Sequence, residues 1–243
     1  MTCSVEHLPF GFLFMEKVRK DGRLYNIALF AGSCERLLDV GTDHAFLPVY
    51  AVKNGIAKRA EATDVNPLPL LKAKNNIEKA GLSDRIGVRL ADGLDGAEKF
   101  SPDVVVISGM GGELIASIMD KGAKKLKNVR FILQPNTREY DLRAFLYSNG
   151  YYIYDEKIVS EKNKYYHIIA SRRDGKKRKA DVCELSLGRI NIKNASFPDG
   201  YLRKSKTRLE KKIAGRGVSR DEKDGDVILL SLVNKLIKKE NEK

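Results

Sequence analysis

From Glu35 onward the chain alternates short apolar runs with longer amphipathic stretches, and this alternation limits the possible folds most strongly. The apolar runs predict strands and the amphipathic stretches predict helices. Strands that alternate with helices form a parallel sheet covered by helices on both faces. Ligands of such sheets bind beyond the carboxyl ends of the strands. We therefore expect a doubly wound α/β fold with its functional residues where the strands end.

The predicted elements follow one another closely. Strands are predicted at 36–41, 60–65, 86–92, 104–109 and 130–134, and helices at 45–54, 67–80 and 138–148. Pro135 is expected to end the fifth strand, because proline lacks the N–H that a sheet needs. Aromatic and β-branched runs at 151–159 and 165–171 predict a final hairpin that adds an antiparallel strand.

The character of the chain changes after Arg172. Residues 1–172 carry 25 basic and 21 acidic side chains, whereas residues 173–243 carry 20 and 11. We therefore expect two domains, 1–172 and 173–243, the second made of a basic linker and a helical hairpin. Such an excess of basic residues favours a polyanionic partner, either nucleic acid or an anionic membrane surface. A solvated basic surface is the alternative.

The hairpin is predicted from two amphipathic stretches joined by a glycine-containing turn. Residues 201–214 place Leu202, Ser205, Leu209 and Ile213 on one stripe, and residues 221–239 place Val227, Leu230, Val233 and Ile237 on another. The first helix carries basic residues that could contact phosphates or form a solvated face. The candidates for RNA binding are Arg203, Lys204, Arg208, Lys211 and Lys212.

Several classes of protein do not fit this sequence. Three scattered cysteines among 243 residues argue against a disulfide framework and favour a reducing, cytoplasmic location. No apolar run reaches the ~18 residues of a membrane helix. Residues 1–15 lack a positive start and a cleavage site, so we expect no signal peptide. Three histidines without a C-x-x-C or H-E-x-x-H motif predict no metal site.

The first predicted strand ends in the sequence Asp-Val-Gly-Thr-Asp-His-Ala, residues 39–45. It contains one glycine of a dinucleotide-binding motif, and Asp43 would repel a pyrophosphate. A carboxylate there suits a cationic or zwitterionic ligand, such as S-adenosylmethionine, which has a sulfonium and an ammonium group. Asp43 could also cap the next helix. His44 is either a ligand contact or a structural residue.

Polar residues also follow the next strands. An acid at the position of Asp64 binds ribose hydroxyls in nucleoside-binding α/β folds. Asp92, followed by Gly93, could accept a hydrogen bond from an adenine amino group, or it could simply form a turn. Three glycines in 109–112 indicate a positive φ or a close approach of the backbone to another group.

Three motifs together resemble one family. Residues 39–48, the sequence Gly-Met-Gly-Gly at 109–112 and Gln-Pro-Asn at 134–136 closely resemble the bacterial tRNA (adenine(22)-N1)-methyltransferases, and the resemblance covers most of the chain. It implies a class I, Rossmann-like methyltransferase domain and a C-terminal coiled-coil hairpin. It also implies S-adenosylmethionine as donor and N1 of an adenine in the tRNA D-arm as acceptor. Phe46 stands where the family usually has tyrosine, so stacking is kept but a phenol hydrogen bond is lost.

Positions at the strand ends and this resemblance together give the candidate site residues. The cofactor-binding candidates are Arg23, Asp39, Gly41, Thr42, Asp43, His44, Asp64, Val65, Asn66, Asp92, Gly93, Leu94, Ser108 and Gly109. The candidates for the adenine pocket and catalysis are Asp43, Phe46, Met110, Gly111, Gln134, Pro135 and Asn136.

Two other functions remain possible at this point. One is a methyltransferase that acts on another RNA, a protein or a small molecule. The other is a non-catalytic RNA-binding module that keeps a nucleoside pocket. The basic hairpin and the motif set favour an enzyme whose partner is tRNA rather than a membrane, and we expect a monomer or a weak homodimer.

Overall fold

The computed structural model of the chain describes residues 18–189, 197–215 and 220–242. Residues 1–17, where we expect no signal peptide, lie outside the described residues. Seven strands form one sheet: β1 Cys34–Val40, β2 Ala57–Asp64, β3 Ile86–Leu90, β4 Val104–Gly111, β5 Arg130–Thr137, β6 Tyr151–Glu161 and β7 Lys164–Arg173. No helix within those ranges is long and apolar enough to cross a membrane.

The helices alternate with the strands and continue beyond them. They are α1 Arg23–Ala31, α2 Phe46–Lys53, α3 Pro67–Lys79, α4 Ala97–Phe100, α5 Gly112–Gly122, α6 Glu139–Ser148, α7 Val182–Leu187, α8 Tyr201–Ala214 and α9 Arg220–Asn241. A 3₁₀ turn, Ala123–Lys125, follows α5.

The strands lie in the order β3-β2-β1-β4-β5-β7-β6. The pairs among β1 to β5 are parallel, and β7 is antiparallel to both β5 and β6. This confirms the predicted Rossmann-like, mostly parallel sheet with one antiparallel strand. After β3 the chain returns to the other side of β1 to form β4. The carboxyl ends of β1 and β4 are therefore adjacent at the point where the strand order reverses, which is where such sheets bind ligands.

Helices cover both faces of the sheet, as expected. On one face the core includes Ile27 of α1, Leu47 of α2 and Ile77 of α3. On the other face it includes Ile115 of α5 and Leu142 of α6. These two cores hold the strand ends in fixed positions and leave the carboxyl edge open.

The predicted end of the fifth strand was wrong. β5 runs through Pro135 and reaches Thr137. Pro135 lies opposite Met110, and the register between β4 and β5 shifts on both sides of Met110. Proline is tolerated because an irregular ladder does not need its missing N–H. The strand consequently carries Gln134, Pro135 and Asn136 along the open edge.

The helices α1 and α5 have no counterpart among the predicted elements, although both are amphipathic. In α5 the residues Ile115, Ile118 and Met119 face the core at helical spacing. The glycines at its start obscure this pattern in the sequence. Because α5 begins directly after β4, it fixes the direction in which residues 108–112 leave the sheet.

The helices α8 and α9 pack against each other and share a small apolar cluster. Leu202, Ser205 and Leu209 of α8 are buried, as expected, and so is Val233 of α9. The placement of Val227 on the inner stripe was wrong, since its side chain is 51% exposed. Asp226 and Leu229 are buried instead. Lys212 Nζ lies 2.9 Å from Asp226 Oδ2, and this ion pair joins α8 to α9 beside the apolar contacts of Leu229 and Val233.

Candidate functional site at the carboxyl edge of the sheet

Two glycine-containing loops leave the sheet side by side at the ends of β1 and β4. The first loop is defined as residues 41–46, and the name second loop is used for residues 108–112, which are the irregular end of β4 and the first residue of α5. Gly41 has a φ of +76°, and a Cβ at this position would lie 2.0 Å from Met110 Cε. The end of the Met110 side chain therefore lies against the backbone of the first loop, and a side chain at position 41 would require it to move. The two loops form one continuous surface.

Asp39 lies at the end of β1, close to the first loop, and is 6% exposed. Burial raises the pKa of its carboxyl group to about 6, and the negative charge of Asp64 adds to the rise. A hydrogen bond with Thr42 and the positive charge of Arg23 oppose it. Asp39 is therefore ionised at neutral pH in an environment that disfavours its charge, and a cationic ligand nearby would relieve this.

Thr42, rather than Asp43, organises the start of α2. Thr42 Oγ1 accepts a hydrogen bond from the backbone N–H of Ala45 at 3.1 Å. The Asp43 side chain is 73% exposed, and its Oδ2 lies 3.2 Å from His44 Nε2. The His44 ring stacks on Phe46 with 5.1 Å between ring centroids. The Asp43 carboxylate therefore does not cap α2, which was its alternative role, and it is accessible to solvent.

Asp64 and Asp92 follow β2 and β3 on the other side of the first loop. Asp64 Oδ1 accepts a hydrogen bond from the backbone N–H of Asn66 at 2.7 Å, which fixes the orientation of the carboxylate. Asp92 is exposed. A cleft of about 500 Å³ lies beside them, lined by Val65, Arg89, Leu90, Ala91, Asp92, Asp95 and Gly96. No sequence pattern around Arg89 indicates that it would line this cleft.

The residues after Asp92 differ in what they offer to a ligand. Gly93 has a φ of +55°, and a Cβ there would lie 3.0 Å from Ile118. The side chain of Leu94 is buried and packs against Gly122 of α5. Leu94 can therefore present only its backbone at the site, whereas Val65 is 61% exposed beside the cleft.

Residues of β5 are tied to the second loop by side-chain amides. Gln134 is fully buried, and its Nε2 donates to Pro135 O at 2.7 Å and to Asn136 Oδ1 at 3.1 Å. Asn136 Nδ2 in turn donates to Gly109 O at 2.7 Å. Ser108 pairs with Gln134 across the ladder. The two motifs at 109–112 and 134–136 therefore form one structural unit.

The glycines of the second loop allow α5 to approach β5. A Cβ at Gly112 would lie 2.2 Å from Arg138 O, and a Cβ at Gly111 would lie 3.5 Å from Thr137 Oγ1. The close backbone approach at Gly112 is a structural requirement. At Gly109, which has a φ of +80° and is exposed, the backbone itself faces the open edge.

Arg23 reaches this edge from the first turn of α1. Its guanidinium donates to Gln134 Oε1 at 2.6 Å and lies over the Tyr166 ring, 5.6 Å from the centroid. Its backbone N–H donates to Glu161 Oε2 at 2.9 Å. Sequence reasoning missed Glu161, and nothing in a polar hairpin turn distinguishes it. Arg23 thus lies between Asp39 and Gln134, on the boundary of the predicted cofactor and adenine sites.

Four of the five basic candidates on α8 have side chains directed to solvent. Arg203, Arg208 and Lys211 are exposed. Lys204 is exposed as well, and its Nζ lies 5.5 Å from the centroid of the Tyr165 ring on β7. Lys212 instead forms the ion pair with Asp226. The start of α8 therefore lies at the same end of β7 as Arg23 but across the sheet from it, because the neighbouring side chains of Tyr165 and Tyr166 point to opposite faces.

A buried polar network joins the sheet to α8. Arg143 donates to Glu156 Oε1 at 2.8 Å and to Leu185 O at 2.8 Å. His167 Nδ1 lies 2.9 Å from Arg143 and its Nε2 lies 3.2 Å from Tyr201 Oη. Burial and the charges of Arg143 and Arg208 hold the pKa of His167 well below its usual value. Sequence reasoning missed this network, since arginine and glutamate in amphipathic segments are ordinarily solvent-exposed.

Comparisons with known proteins show which family this chain resembles. A sequence model described as tRNA (adenine(22)-N(1))-methyltransferase matches residues 37–225. A curated relative, the tRNA (adenine(22)-N(1))-methyltransferase of Bacillus subtilis, is 37% identical over 177 residues, which are 72% of this chain and 74% of the relative.

Solved structures give the same result. The crystal structure of the Bacillus subtilis M1A22 tRNA methyltransferase TrmK is 30% identical, with a TM-score of 0.74, and covers 90% of this chain and 99% of that one. A Streptococcus pneumoniae protein solved in complex with S-adenosyl-L-methionine is 35% identical, with a TM-score of 0.75, and covers 88% of this chain and 97% of that one.

Proposed function

This chain belongs to the tRNA (adenine(22)-N(1))-methyltransferase family, and from that premise we propose that it transfers a methyl group from S-adenosylmethionine to N1 of adenine 22 in tRNA. One observation carries the proposal. The first loop and its acidic neighbours lie at one edge of the sheet. They meet the unit of Gly109, Gln134 and Asn136 there, and Met110 lies against Gly41 where the two surfaces join. A donor site and an acceptor site on two such adjacent surfaces suit group transfer.

The residues at the edge fit S-adenosylmethionine chemically. Asp39 is a buried carboxylate whose charge a cation would stabilise, and Asp43 is an exposed one. Gly41, with its positive φ, leaves the backbone accessible beside them. Asp64 is oriented by Asn66 and would accept hydrogen bonds from ribose hydroxyls. Asp92 and the cleft beside Val65 would hold the adenine of the donor.

The remaining cofactor-binding candidates contribute in simpler ways. Thr42 and His44 hold the shape of the first loop, and Gly93 and Leu94 would contribute backbone groups. Ser108 and Gly109 line the boundary with the acceptor site. When bound, S-adenosylmethionine supplies a methyl group activated by its attachment to a positively charged sulfur.

The chain's own residues need only position and stabilise the acceptor. Adenine N1 has a lone pair in the neutral base, so no proton has to be removed before the methyl group is transferred. The positive charge passes to the base as the new bond forms. Asp43 would stabilise that charge, and the partly buried Phe46 ring would pack against the base. Met110, Gly111, Gln134, Pro135 and Asn136 would form the adenine pocket.

The target base must leave any stacked or paired arrangement, because N1 lies on its Watson–Crick edge. The tRNA backbone would be held by the exposed cations of α8: Arg203, Lys204, Arg208 and Lys211. Lys212 is the least suited of the five, since it already neutralises Asp226. In this proposal residues 1–172 form the methyltransferase domain and residues 173–243 form a basic linker and a coiled-coil hairpin. A tRNA substrate also supports the expected cytoplasmic location.

A methyl-transfer assay tests the proposal directly. The chain, S-adenosylmethionine with a labelled methyl group and an unmodified tRNA transcript should yield N1-methyladenosine on nucleoside analysis. A transcript with guanine at position 22 is the matched control and should stay unlabelled. Label on a protein, a small molecule or another RNA would instead support a different methyltransferase. Cofactor binding without any transfer would support a non-catalytic module.

A further inference from the structure

Arg23 is the first residue of α1, yet its guanidinium contacts a residue 111 positions away in the fifth strand. An arginine side chain can only donate hydrogen bonds. The Gln134 atom facing it at 2.6 Å must therefore be the oxygen, Oε1. This contact leaves Gln134 Nε2 directed toward Pro135 O and Asn136 Oδ1. Arg23, which can only donate, and Pro135 O, which can only accept, therefore require the same orientation of the buried Gln134 amide.

The same reasoning fixes the next amide along the chain. Gln134 Nε2 can only donate, so the Asn136 atom 3.1 Å away is its oxygen. At the other end, Gly109 O can only accept, so the Asn136 atom 2.7 Å from it is Nδ2. Both neighbours require the same orientation of Asn136. The side-chain amides of Gln134 and Asn136 are therefore each held in one of their two possible orientations.

Asn136 retains hydrogen-bonding capacity toward the open edge. Its side chain is exposed. Its oxygen has two lone pairs and accepts one hydrogen bond from Gln134, which leaves one acceptor position. An acceptor fits the exocyclic amino group of adenine, which lies next to N1. It opposes guanine, which presents a carbonyl oxygen at the equivalent position.

We propose that Arg23 is a positioning residue for the adenine pocket: together with Pro135 O it holds the Gln134 amide, which together with Gly109 O holds Asn136 with Oδ1 as the acceptor for the adenine amino group. This inference rests on the proposed function and adds to it the origin of the choice of base. Asn136 would contact the base, and Arg23 would act only through Gln134. If the amide turned over, an N–H would face the base and guanine would be favoured.

Arg23 is itself held firmly, which a positioning residue requires. Its backbone N–H is bound by Glu161, and its guanidinium lies over Tyr166. Independently, Lys157 Nζ donates to Asn26 Oδ1 at 2.7 Å and joins α1 to β6. The Lys157 contact secures the same helix without touching the Gln134 amide. It therefore provides a matched control for effects that arise only from the docking of α1.

The test uses three substitutions in the full chain. Arg23→Met removes the donor to Gln134. Gln134→Glu keeps an acceptor for Arg23 but, when ionised, cannot donate to Asn136. It therefore breaks the series of hydrogen bonds from Arg23 to Asn136 at its central residue. Lys157→Met is the control. For each protein we would measure thermal unfolding, S-adenosylmethionine affinity, the single-turnover rate with both substrates saturating, and the ratio of affinities for tRNA with adenine or guanine at position 22.

We expect Arg23→Met and Gln134→Glu to lower the single-turnover rate about 10- to 100-fold, the scale produced by misplacing reacting groups by about 1 Å. Both should reduce the preference for adenine 22. The affinity for S-adenosylmethionine should change less than about 3-fold, which is well below the tenfold change that 1.4 kcal/mol of binding free energy produces. Arg23→Lys, which keeps a donor, should restore part of the rate. Lys157→Met should keep both the rate and the preference.

Other results would overturn the inference. Recovery of the Arg23→Met rate by saturating S-adenosylmethionine would make Arg23 a cofactor ligand alone. An unchanged adenine preference in both variants, or an equal loss in Lys157→Met, would reduce the contacts to a structural role. If Arg23→Met does not fold, Gln134→Glu decides by the same criteria. Failure of the unaltered protein to form N1-methyladenosine would instead reject the proposed function, and this inference with it.

Discussion

Met110 and Gly41 come from different loops, yet the methyl group of Met110 occupies the space where a side chain at position 41 would begin. Gly41→Ala would therefore displace Met110, and it would also place alanine at a φ of +76°. The backbone strain alone costs about 1–2 kcal/mol. We expect weaker S-adenosylmethionine binding by calorimetry together with slower methyl transfer.

Two comparisons separate the causes. In a Met110→Ala background, Gly41→Ala should retain only the effect of backbone strain. Gly87→Ala in β3, where a Cβ would meet nothing within 4 Å, should leave cofactor binding intact. Equal effects of Gly41→Ala in both backgrounds would show that the contact with Met110 does not matter.

Asp43→Asn should lower turnover by ~100-fold, the scale seen when one stabilising group is removed from a charged transition state. The fold should survive, because Thr42 Oγ1 organises the start of α2 without Asp43. Single-turnover rates and melting temperature would be compared with those of the unaltered chain. Normal turnover would exclude Asp43 from charge stabilisation, and unfolding would assign it a structural role.

Asp64→Ala should weaken S-adenosylmethionine binding about 10- to 100-fold, since a hydrogen bond to a charged group contributes roughly 1.5–3 kcal/mol. Affinity for tRNA should change far less. Calorimetry with the cofactor and filter binding with tRNA measure the two separately. Asp84→Ala, at an exposed position before β3, is the control, and a loss of tRNA affinity equal to the loss of cofactor affinity would contradict the assignment.

His167 should make the stability of the fold depend on pH. Its pKa in the folded chain lies well below the ordinary value of 6.5, so only the unfolded chain takes up a proton as the pH falls below 6.5. The stabilisation is therefore complete above that value and is lost below it, by up to about 1.4 kcal/mol per pH unit. Urea unfolding at pH 7.5, 6.5 and 5.5 measures this slope.

The comparison that isolates His167 is His167→Gln, which keeps one donor and one acceptor for Tyr201 and Arg143 but does not titrate. The difference in unfolding free energy between the two proteins should shrink as the pH falls. Asp39 gives the unfolding free energy the opposite pH dependence, because its pKa is raised to about 6. Both proteins contain Asp39, so its contribution cancels in the difference between them. An unchanged difference across this range would contradict the assignment; His44→Gln, at a partly buried position outside the His167 network, serves as the control.

Reversing the charge of Arg203, Lys204 and Arg208 to glutamate should weaken tRNA binding and flatten its dependence on salt. Each phosphate that the variant no longer neutralises changes the slope of log K against log salt by about 1. Truncation after residue 172 is a poorer test, since Arg143 and His167 would lose Leu185 and Tyr201 as partners.

The control for this charge reversal is the same change at Arg85, Lys125 and Lys127. These residues are exposed near the starts of β3 and β5, at the opposite edge of the sheet. This control variant should leave the salt slope of tRNA binding unaltered. If the two triple variants change tRNA affinity and its salt slope equally, the cations of α8 make no specific contribution to RNA binding.

The sheet and the position of its open edge could be predicted because apolar runs that end in residues such as Gly41 and Asp64 report strand ends locally. The contacts of Arg23 could not, since they join residues 111 and 138 positions apart. Arg143 is an arginine in an amphipathic helix, and its burial depends on partners from two strands and from the later helix α7. Val227 was misplaced because the buried stripe of α9 runs through Leu229 and Val233, with Asp226 buried beside them in its ion pair with Lys212.

The position of β7 has a consequence for synthesis on the ribosome. This strand is the last of the sheet to be made, yet it lies between β5 and β6. A nascent chain that has emerged only as far as β6 therefore has an unpaired edge along β5, the strand that carries Gln134. Exposed edges of this kind recruit other strands and promote aggregation. Release of residues 164–173 pairs β7 with residues 130–133 of β5 and closes the edge, so the sheet becomes complete only late in translation.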